Sequence, residues 1–211
     1  MRDRLWWTCS ERQCKSSRRA PPWSRRVRRE PRSHSIDMET RNAGHGVRVA
    51  RAPFPYPGSG HQWFDVDGRE LRPDRIATVR FAFDEVVGDA VKRAGFLDRL
   101  DKVAFVGVSQ GAIVALDAVA SGRWPIRALV TFAGLLPPMP ISRSAVSTSV
   151  LLIHGADDRT IPPAESTLAS QRLAAANVDV ESHILPGVGH TVSMEGAELA
   201  FRFFAKAFAE P

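Results

Sequence analysis

Ser109 lies in a G-x-S-x-G segment, from Gly107 to Gly111, which joins an apolar run starting at Val103 to a helical pattern starting at Ala112. A β-branched and aromatic run, then this segment, then a helix together predict a serine on a sharp turn above a sheet. Only small residues fit beside the serine in such a bend, and both flanking positions are glycine. The pattern therefore predicts an exposed hydroxyl that could act as a nucleophile.

A serine hydroxyl is a poor nucleophile at neutral pH, so it needs a base within hydrogen-bond reach and a third group that orients the base. The apolar run Ser149–Ile153 is followed by Asp157 and Asp158, and the run Val178–Leu185 is followed by His190. Each run is a predicted strand, and its polar residue lies in the loop that follows the carboxyl end of the strand, where open α/β sheets bind ligands. The order serine, aspartate, histidine is that of the nucleophile-elbow architecture.

Each of these residues also has a structural interpretation. Adjacent aspartates shortly before a proline often cap a helix, here one starting near Pro162. A single loop histidine is usually an ordinary surface residue. His154 ends a predicted strand, where we expect a structural hydrogen bond, and His183 lies inside one. The occurrence of all three residue types in order, each at a strand end, favours catalysis.

Four short segments resemble the carboxylesterase/phospholipase family of α/β-hydrolases, which includes bacterial carboxylesterases and acyl-protein thioesterases. The segments are Gly107–Gly111, Trp63–Asp65, Gly134–Pro137, and His154-Gly155 with Asp158 and Pro162. The resemblance covers about residue 47 to the C-terminus. It implies Ser109 as the nucleophile, His190 as the base, and Asp158 rather than Asp157 as the orienting acid. The backbone N–H of Gln110 would be one oxyanion donor.

The resemblance also implies a reaction, namely hydrolysis of a small-molecule carboxylic ester or thioester through an acyl-enzyme. This chemistry needs no cofactor and no metal, and we expect neither, nor nucleic-acid binding by the body of the chain. We expect a cytoplasmic protein; the sequence leaves the oligomeric state open, a homodimer included. The apolar residues expected to wall the substrate site lie in the loop after the predicted strand Ile126–Phe132 and in a segment that closes the other side. They are Leu135, Leu136 and Met139, and Trp63 and Phe64, respectively. Ordinary packing of each residue against the body is the alternative.

The body of the chain alternates strand and helix patterns, which predicts an α/β fold with a mainly parallel sheet and helices on both faces. Apolar residues at helical spacing predict helices over about 75–94, 112–121, 164–176 and 194–208. We expect one α/β-hydrolase domain over residues 47–211. No stretch is long and apolar enough to predict a membrane span.

Residues 1–46 differ from the body in composition. The net charge is +9 over residues 1–51 and −3 over residues 52–211, which together give the +6 of the chain. Arginine pairs alternate with proline and serine there, so the segment cannot bury enough apolar area to offset chain entropy and is expected to be a disordered leader without a strand. Cys9 and Cys14 both lie in it, so a disulfide-stapled body is excluded.

Three interpretations of the leader stay open. It could be an organelle transit peptide, a polybasic arm for nucleic acid or anionic membrane, or the product of a misassigned start or frameshift. The family carries an apolar strand and a histidine-glycine-rich oxyanion loop at this place, so we expect an N-terminally incomplete domain. The alternative to an active hydrolase is therefore an impaired or inactive remnant, or a binding protein that uses the basic arm.

Overall fold

The computed structural model describes residues 4–9, 45–57, 60–68 and 72–209. Six parallel strands form one sheet in the order β2-β1-β5-β6-β7-β8, and a two-residue antiparallel pair, β3 with β4, lies apart from it. The strands are β1 (Arg4–Cys9), β2 (His45–Val49), β3 (Phe54–Pro55), β4 (His61–Gln62), β5 (Val103–Val108), β6 (Ala128–Phe132), β7 (Ser149–Gly155) and β8 (Val180–Leu185). Because parallel neighbours need crossover connections, helices cover the sheet.

The described residues form four α-helices: α1 (Pro73–Arg93), α2 (Gln110–Ala120) and α3 (Ala164–Ala175) lie between strands, and α4 (Met194–Ala207) follows β8. Their apolar faces pack on opposite sides of the sheet. Alternate residues of β5, β6 and β7 face one core cluster with α1, α2 and α3, and the residues between them face a second cluster with α4. The predicted parallel sheet with helices on both faces is thus confirmed.

Strand β1 corrects the expectation that residues 1–46 contain no strand. It lies between β2 and β5, and its backbone pairs in parallel with both, for example Leu5 with Val103 and Thr8 with Val49. The run Leu5-Trp6-Trp7 is short and follows arginines, which hides it in a charge-based analysis, although aromatic residues favour strands. Residues 10–44 lie outside the described residues, so a domain boundary at residue 46 stays a prediction.

The carboxyl ends of β5, β7 and β8 lie at one edge of the sheet, because all three strands run parallel. The loops that follow them carry Ser109, Asp158 and His190. Within the described residues, no helix combines the length and the apolar character that crossing a membrane would require.

A charged network ties α1 to α2 on one face of the sheet. The Asp117 carboxylate, which is 8% exposed, accepts two hydrogen bonds of 2.9 Å from Arg80 and one of 2.9 Å from Arg123. Arg123 Nε also donates to Asp84 at 2.9 Å, and Asp84 accepts from the indole of Trp124 at 2.6 Å. Both guanidinium groups therefore share one buried carboxylate, and Arg123 has a second acidic partner in Asp84.

We expect Asp117→Asn to lower the free energy of unfolding by about 2–3 kcal/mol, because partly buried Arg80 loses its charged acceptor and Arg123 loses one of two. Urea unfolding measures the change. Asp89→Asn is the matched control, because Asp89 pairs with Arg93 on the exposed face of α1, where an ion pair contributes at most about 0.5 kcal/mol. Equal effects of the two substitutions would contradict this account of the network.

Candidate active site

Ser109 occupies a strained turn between β5 and α2. Its backbone has φ 54° and ψ −121°, a conformation that non-glycine residues rarely adopt and that costs about 1–3 kcal/mol. Its N–H donates to the carbonyl of Phe132 on β6 at 2.9 Å, which fixes the turn against the neighbouring strand. A Cβ at Gly107 would lie 2.6 Å from the carbonyl oxygen of Gly111 and from Cα of Ala112, so the glycine expected before the serine is required sterically.

The side chains of Ser109, His190 and Asp158 form a continuous hydrogen-bonded chain. Ser109 Oγ lies 2.9 Å from His190 Nε2, and His190 Nδ1 lies 2.7 Å from Asp158 Oδ2. Since a carboxylate only accepts, Nδ1 carries the proton and Nε2 is free to accept from the serine hydroxyl. The three residues that the sequence brought forward thus meet at the carboxyl edge of the sheet, in an arrangement suited to removing the serine proton.

The Asp158 carboxylate is buried and fully hydrogen-bonded. Its side chain has no exposed surface, and Oδ1 accepts from the backbone N–H groups of Thr160 at 2.8 Å and Ile161 at 3.0 Å. Burial raises the pKa of Asp158, but the hydrogen bonds from His190, Ile161 and Thr160 together outweigh burial and hold the pKa below its ordinary value. Asp157, by contrast, is exposed. The geometry therefore distinguishes the two adjacent aspartates.

A close backbone approach sets the distance between the acid and the histidine loops. Gly155 ends β7, and a Cβ there would collide with the carbonyl oxygens of Val188 and Gly189, in the loop that leads to His190. The N–H of Asp157 also donates to the carbonyl of Val188 at 2.9 Å. The glycine after His154 is thus the residue that lets the two loops touch, which its spacing alone did not indicate.

The side chain of Gln110 has a role that the sequence did not suggest. Its amide oxygen accepts from the backbone N–H groups of Trp63 at 2.8 Å and Phe64 at 3.4 Å, and its amide nitrogen donates to the carbonyl of Phe64 at 3.0 Å. The residue next to the serine therefore anchors the segment that follows β4. Gln110 is also the first residue of α2, and the first N–H groups of a helix have no intrahelical acceptor.

A cavity of about 620 Å³ opens beside Ser109. Its apolar walls are formed by Phe64, Ile113, Leu135 and Ile161, and Tyr56 also lines it. An adjoining apolar groove of about 40 Å³ runs between α1 and α2, and Phe64 and Ile113 line both spaces. These two residues therefore border both the large cavity and the groove.

Three of the five residues expected to wall the substrate site lie elsewhere, which corrects that expectation. Trp63 is 1% exposed and packs in the core, with its ring centroid 5.4 Å from that of Phe83. Leu136 is also buried in the core, and Met139 contacts Arg80, with Sδ 3.1 Å from Nη2. Neighbouring loop residues point to opposite sides, so proximity in sequence overestimates the number that face the cavity. Phe64 and Leu135 do line it.

Within the described part of the chain, no group of three or more histidine, cysteine, aspartate or glutamate side chains is arranged to hold a metal ion.

The pKa of Asp158 predicts how stability depends on pH. Because the folded pKa lies below the unfolded value of about 3.9, the ionised carboxylate stabilises the fold fully above that value and loses its contribution as the pH falls through the folded pKa. We expect Asp158→Asn to cost about 1–3 kcal/mol at pH 7, and the difference from wild type to shrink below about pH 4. Urea unfolding at a series of pH values measures it.

Asp157→Asn provides the control, since its side chain is exposed and a surface substitution changes stability by about 0.5 kcal/mol or less. A difference between wild type and Asp158→Asn that stays constant from pH 7 to pH 3 would contradict the assignment of the charge to Asp158.

Comparison with known proteins finds a family that covers most of the chain. The phospholipase/carboxylesterase family model matches residues 45–207. Esterase YpfH of Escherichia coli K12 is 29% identical over 144 residues, which are 67% of this chain and 61% of that esterase. The chain thus spans less than two thirds of the length of this curated relative.

Solved structures agree with the fold. The crystal structure of esterase PE8 matches with a TM-score of 0.69 and 26% identity over 78% of this chain and 80% of that one. The carboxylesterase of Bacillus cereus matches in fold, with a TM-score of 0.67 and 22% identity over 78% of this chain and 76% of that one. With the match of residues 45–207 and an α/β-hydrolase sheet, this chain belongs to the phospholipase/carboxylesterase family of α/β-hydrolases.

Proposed function

We propose that this protein is a serine hydrolase that cleaves carboxylic esters or thioesters of small molecules. The observation that carries the proposal is the unbroken hydrogen-bonded chain from Ser109 Oγ through His190 to Asp158, with distances of 2.9 and 2.7 Å. A serine on a strained turn, a base in contact with it and a buried acid behind the base are the parts that acyl transfer requires.

In the proposed reaction, His190 Nε2 takes the proton of Ser109 as Oγ attacks the acyl carbon. Asp158 holds the imidazole in the Nδ1–H tautomer and stabilises its positive form. His190 then gives the proton to the leaving alcohol or thiol, and an acyl-enzyme on Oγ remains. A water molecule then gives a proton to the same imidazole as its oxygen attacks the acyl carbon. His190 passes that proton to Oγ as the bond between Oγ and the acyl carbon breaks, which releases the carboxylic acid and restores the serine.

The tetrahedral intermediate carries a negative oxygen that needs N–H donors. The backbone N–H of Gln110 is the donor proposed among the described residues, since it is at the N-terminus of α2, where the helix dipole favours negative charge. The contacts of the Gln110 side chain with Trp63 and Phe64 restrain this residue. A preorganised donor of this kind typically contributes about 3–4 kcal/mol to the transition state.

The apolar walls of the cavity favour an acyl group without charge. Phe64, Ile113 and Leu135 offer aliphatic and aromatic surface beside the serine, and each buried methylene of a substrate contributes about 0.8 kcal/mol. We propose that the acyl chain lies against these three side chains.

Ester hydrolysis by substituted variants tests the proposal. With p-nitrophenyl butyrate, we expect Ser109→Ala to abolish measurable turnover and Asp158→Asn to lower kcat about 10³–10⁴-fold, since the imidazole then loses its correct tautomer. Asp157→Asn, at the adjacent exposed position, should keep nearly the wild-type rate. Equal rates for wild type and Ser109→Ala would end the proposal, and a larger loss for Asp157→Asn than for Asp158→Asn would overturn the assignment of the acid.

Chain-length preference tests the position proposed for the acyl group. Phe64 lines both the large cavity and the groove between α1 and α2, so Phe64→Ala should join the two spaces. We expect the ratio of kcat/KM for the octanoate and butyrate esters to rise about tenfold, because more methylenes become buried. Leu135→Ala is the control, since Leu135 lines only the large cavity of the two. An unchanged ratio in Phe64→Ala would place the acyl chain elsewhere.

A further inference from the structure

A second histidine contacts the same carboxylate as His190. His154, at the end of β7, is 1% exposed, and its side chain has no exposed surface. Its Nε2 lies 3.0 Å from the carbonyl oxygen of Ile161 and 3.1 Å from Oδ2 of Asp158, and its Nδ1 lies 2.6 Å from Oγ of Ser166 on α3. The predicted structural hydrogen bond of this residue is therefore present, and it reaches the acid itself.

The partners of His154 determine which ring nitrogen carries the proton. A carbonyl oxygen and a carboxylate oxygen face Nε2, and both only accept, so Nε2 must be the N–H. The hydroxyl of Ser166 can then donate to the bare Nδ1. The N–H donates to the Ile161 carbonyl and at the same time presents its positive hydrogen to Oδ2 of Asp158.

The Asp158 carboxylate is thus held from every side by donors. Oδ1 accepts from the backbone N–H groups of Thr160 and Ile161, while Oδ2 accepts from His190 and lies against the N–H of His154. His154 also binds the carbonyl of Ile161, the residue whose N–H holds Oδ1. The His154 imidazole thus contacts both ends of the turn from Asp158 to Ile161. The carboxylate cannot rotate away from His190 without breaking a buried hydrogen bond.

We propose that His154 is a positioning residue, which aims Asp158 at His190 and shares the charge of Oδ2 between two imidazoles. The inference rests on the proposed function, since it assigns His154 to the same reaction without contact with substrate. His154 is absent from the lining of the cavity beside Ser109. Its loss should therefore change kcat and leave KM as it is.

Two amide substitutions separate the donor from the packing. Asparagine at this position puts its amide near the place of Nδ1, so His154→Asn keeps the contact with Ser166 and loses the donor toward Ile161 and Asp158. Glutamine reaches the place of Nε2, so His154→Gln keeps the donor. We expect His154→Asn to lower kcat about 10–100-fold at unchanged KM, as for a small misplacement of a reacting group. The separate variant His154→Gln should keep most of the wild-type kcat.

Proton NMR gives a readout that does not need turnover. The N–H between His190 and Asp158 should give a downfield resonance, assigned by its disappearance in His190→Ala. In His154→Asn this resonance should move upfield, because the carboxylate is no longer held toward His190 and the hydrogen bond to Oδ2 lengthens. A merely structural role predicts broadening or loss of the resonance. If Ser109→Ala and wild type hydrolyse esters equally, the proposed function fails, whereas the NMR comparison still decides the role of His154.

The inference fails if His154→Asn keeps the wild-type kcat and an unshifted resonance, or if the asparagine and glutamine variants are equally impaired. It also fails if KM rises as much as kcat falls. Should His154→Asn not fold, nitrogen-15 NMR of the wild-type protein decides: a protonated Nε2 and a bare Nδ1 on His154 support the inference, and the opposite tautomer overturns it.

Discussion

The site depends on one buried carboxylate and on the donors that surround it. Moving a carboxylate out of water costs several kcal/mol, and this cost is offset only if its oxygens are hydrogen-bonded. Asp158 meets that condition with two backbone N–H groups on Oδ1 and with His190 on Oδ2, beside the N–H of His154. The same bonds that stabilise the ion also orient it, so the geometry of the base follows from the electrostatics of the acid.

The loops that carry Ser109, Asp158 and His190 can meet only where their backbones approach more closely than a Cβ atom would allow. Gly107 permits the turn of the serine against α2, and Gly155 permits the end of β7 to touch the loop before His190. Gly134 lies against Cβ of Ala112 in the same way, at the end of β6. These glycines stand where a parallel sheet delivers its strands to one edge, and the missing Cβ atoms let the loops reach hydrogen-bond distance.

The sequence predicted the strand ends and their polar residues well, because alternating strand and helix patterns with short loops constrain where Ser109, Asp158 and His190 must lie. It did not predict β1, since three apolar residues among arginines form a strand only when open neighbours on both sides can pair with them. The sequence analysis also overestimated the number of residues that line the cavity. The direction of Trp63 is set by packing on Phe83, a contact between distant segments that no local pattern encodes.

The proposed reaction has two parts, proton transfer and stabilisation of the negative substrate oxygen, and different residues are proposed for each part. The hydrogen-bonded chain of Ser109, His190 and Asp158 is the basis of the proposed proton transfer, and the N–H of Gln110 is the donor proposed for the charge on the substrate oxygen. Loss of one oxyanion donor typically costs about 10²–10³ in rate, and loss of the nucleophile or its base about 10⁶. The larger share of the proposed catalysis thus lies in the three side chains that meet at the edge of the sheet.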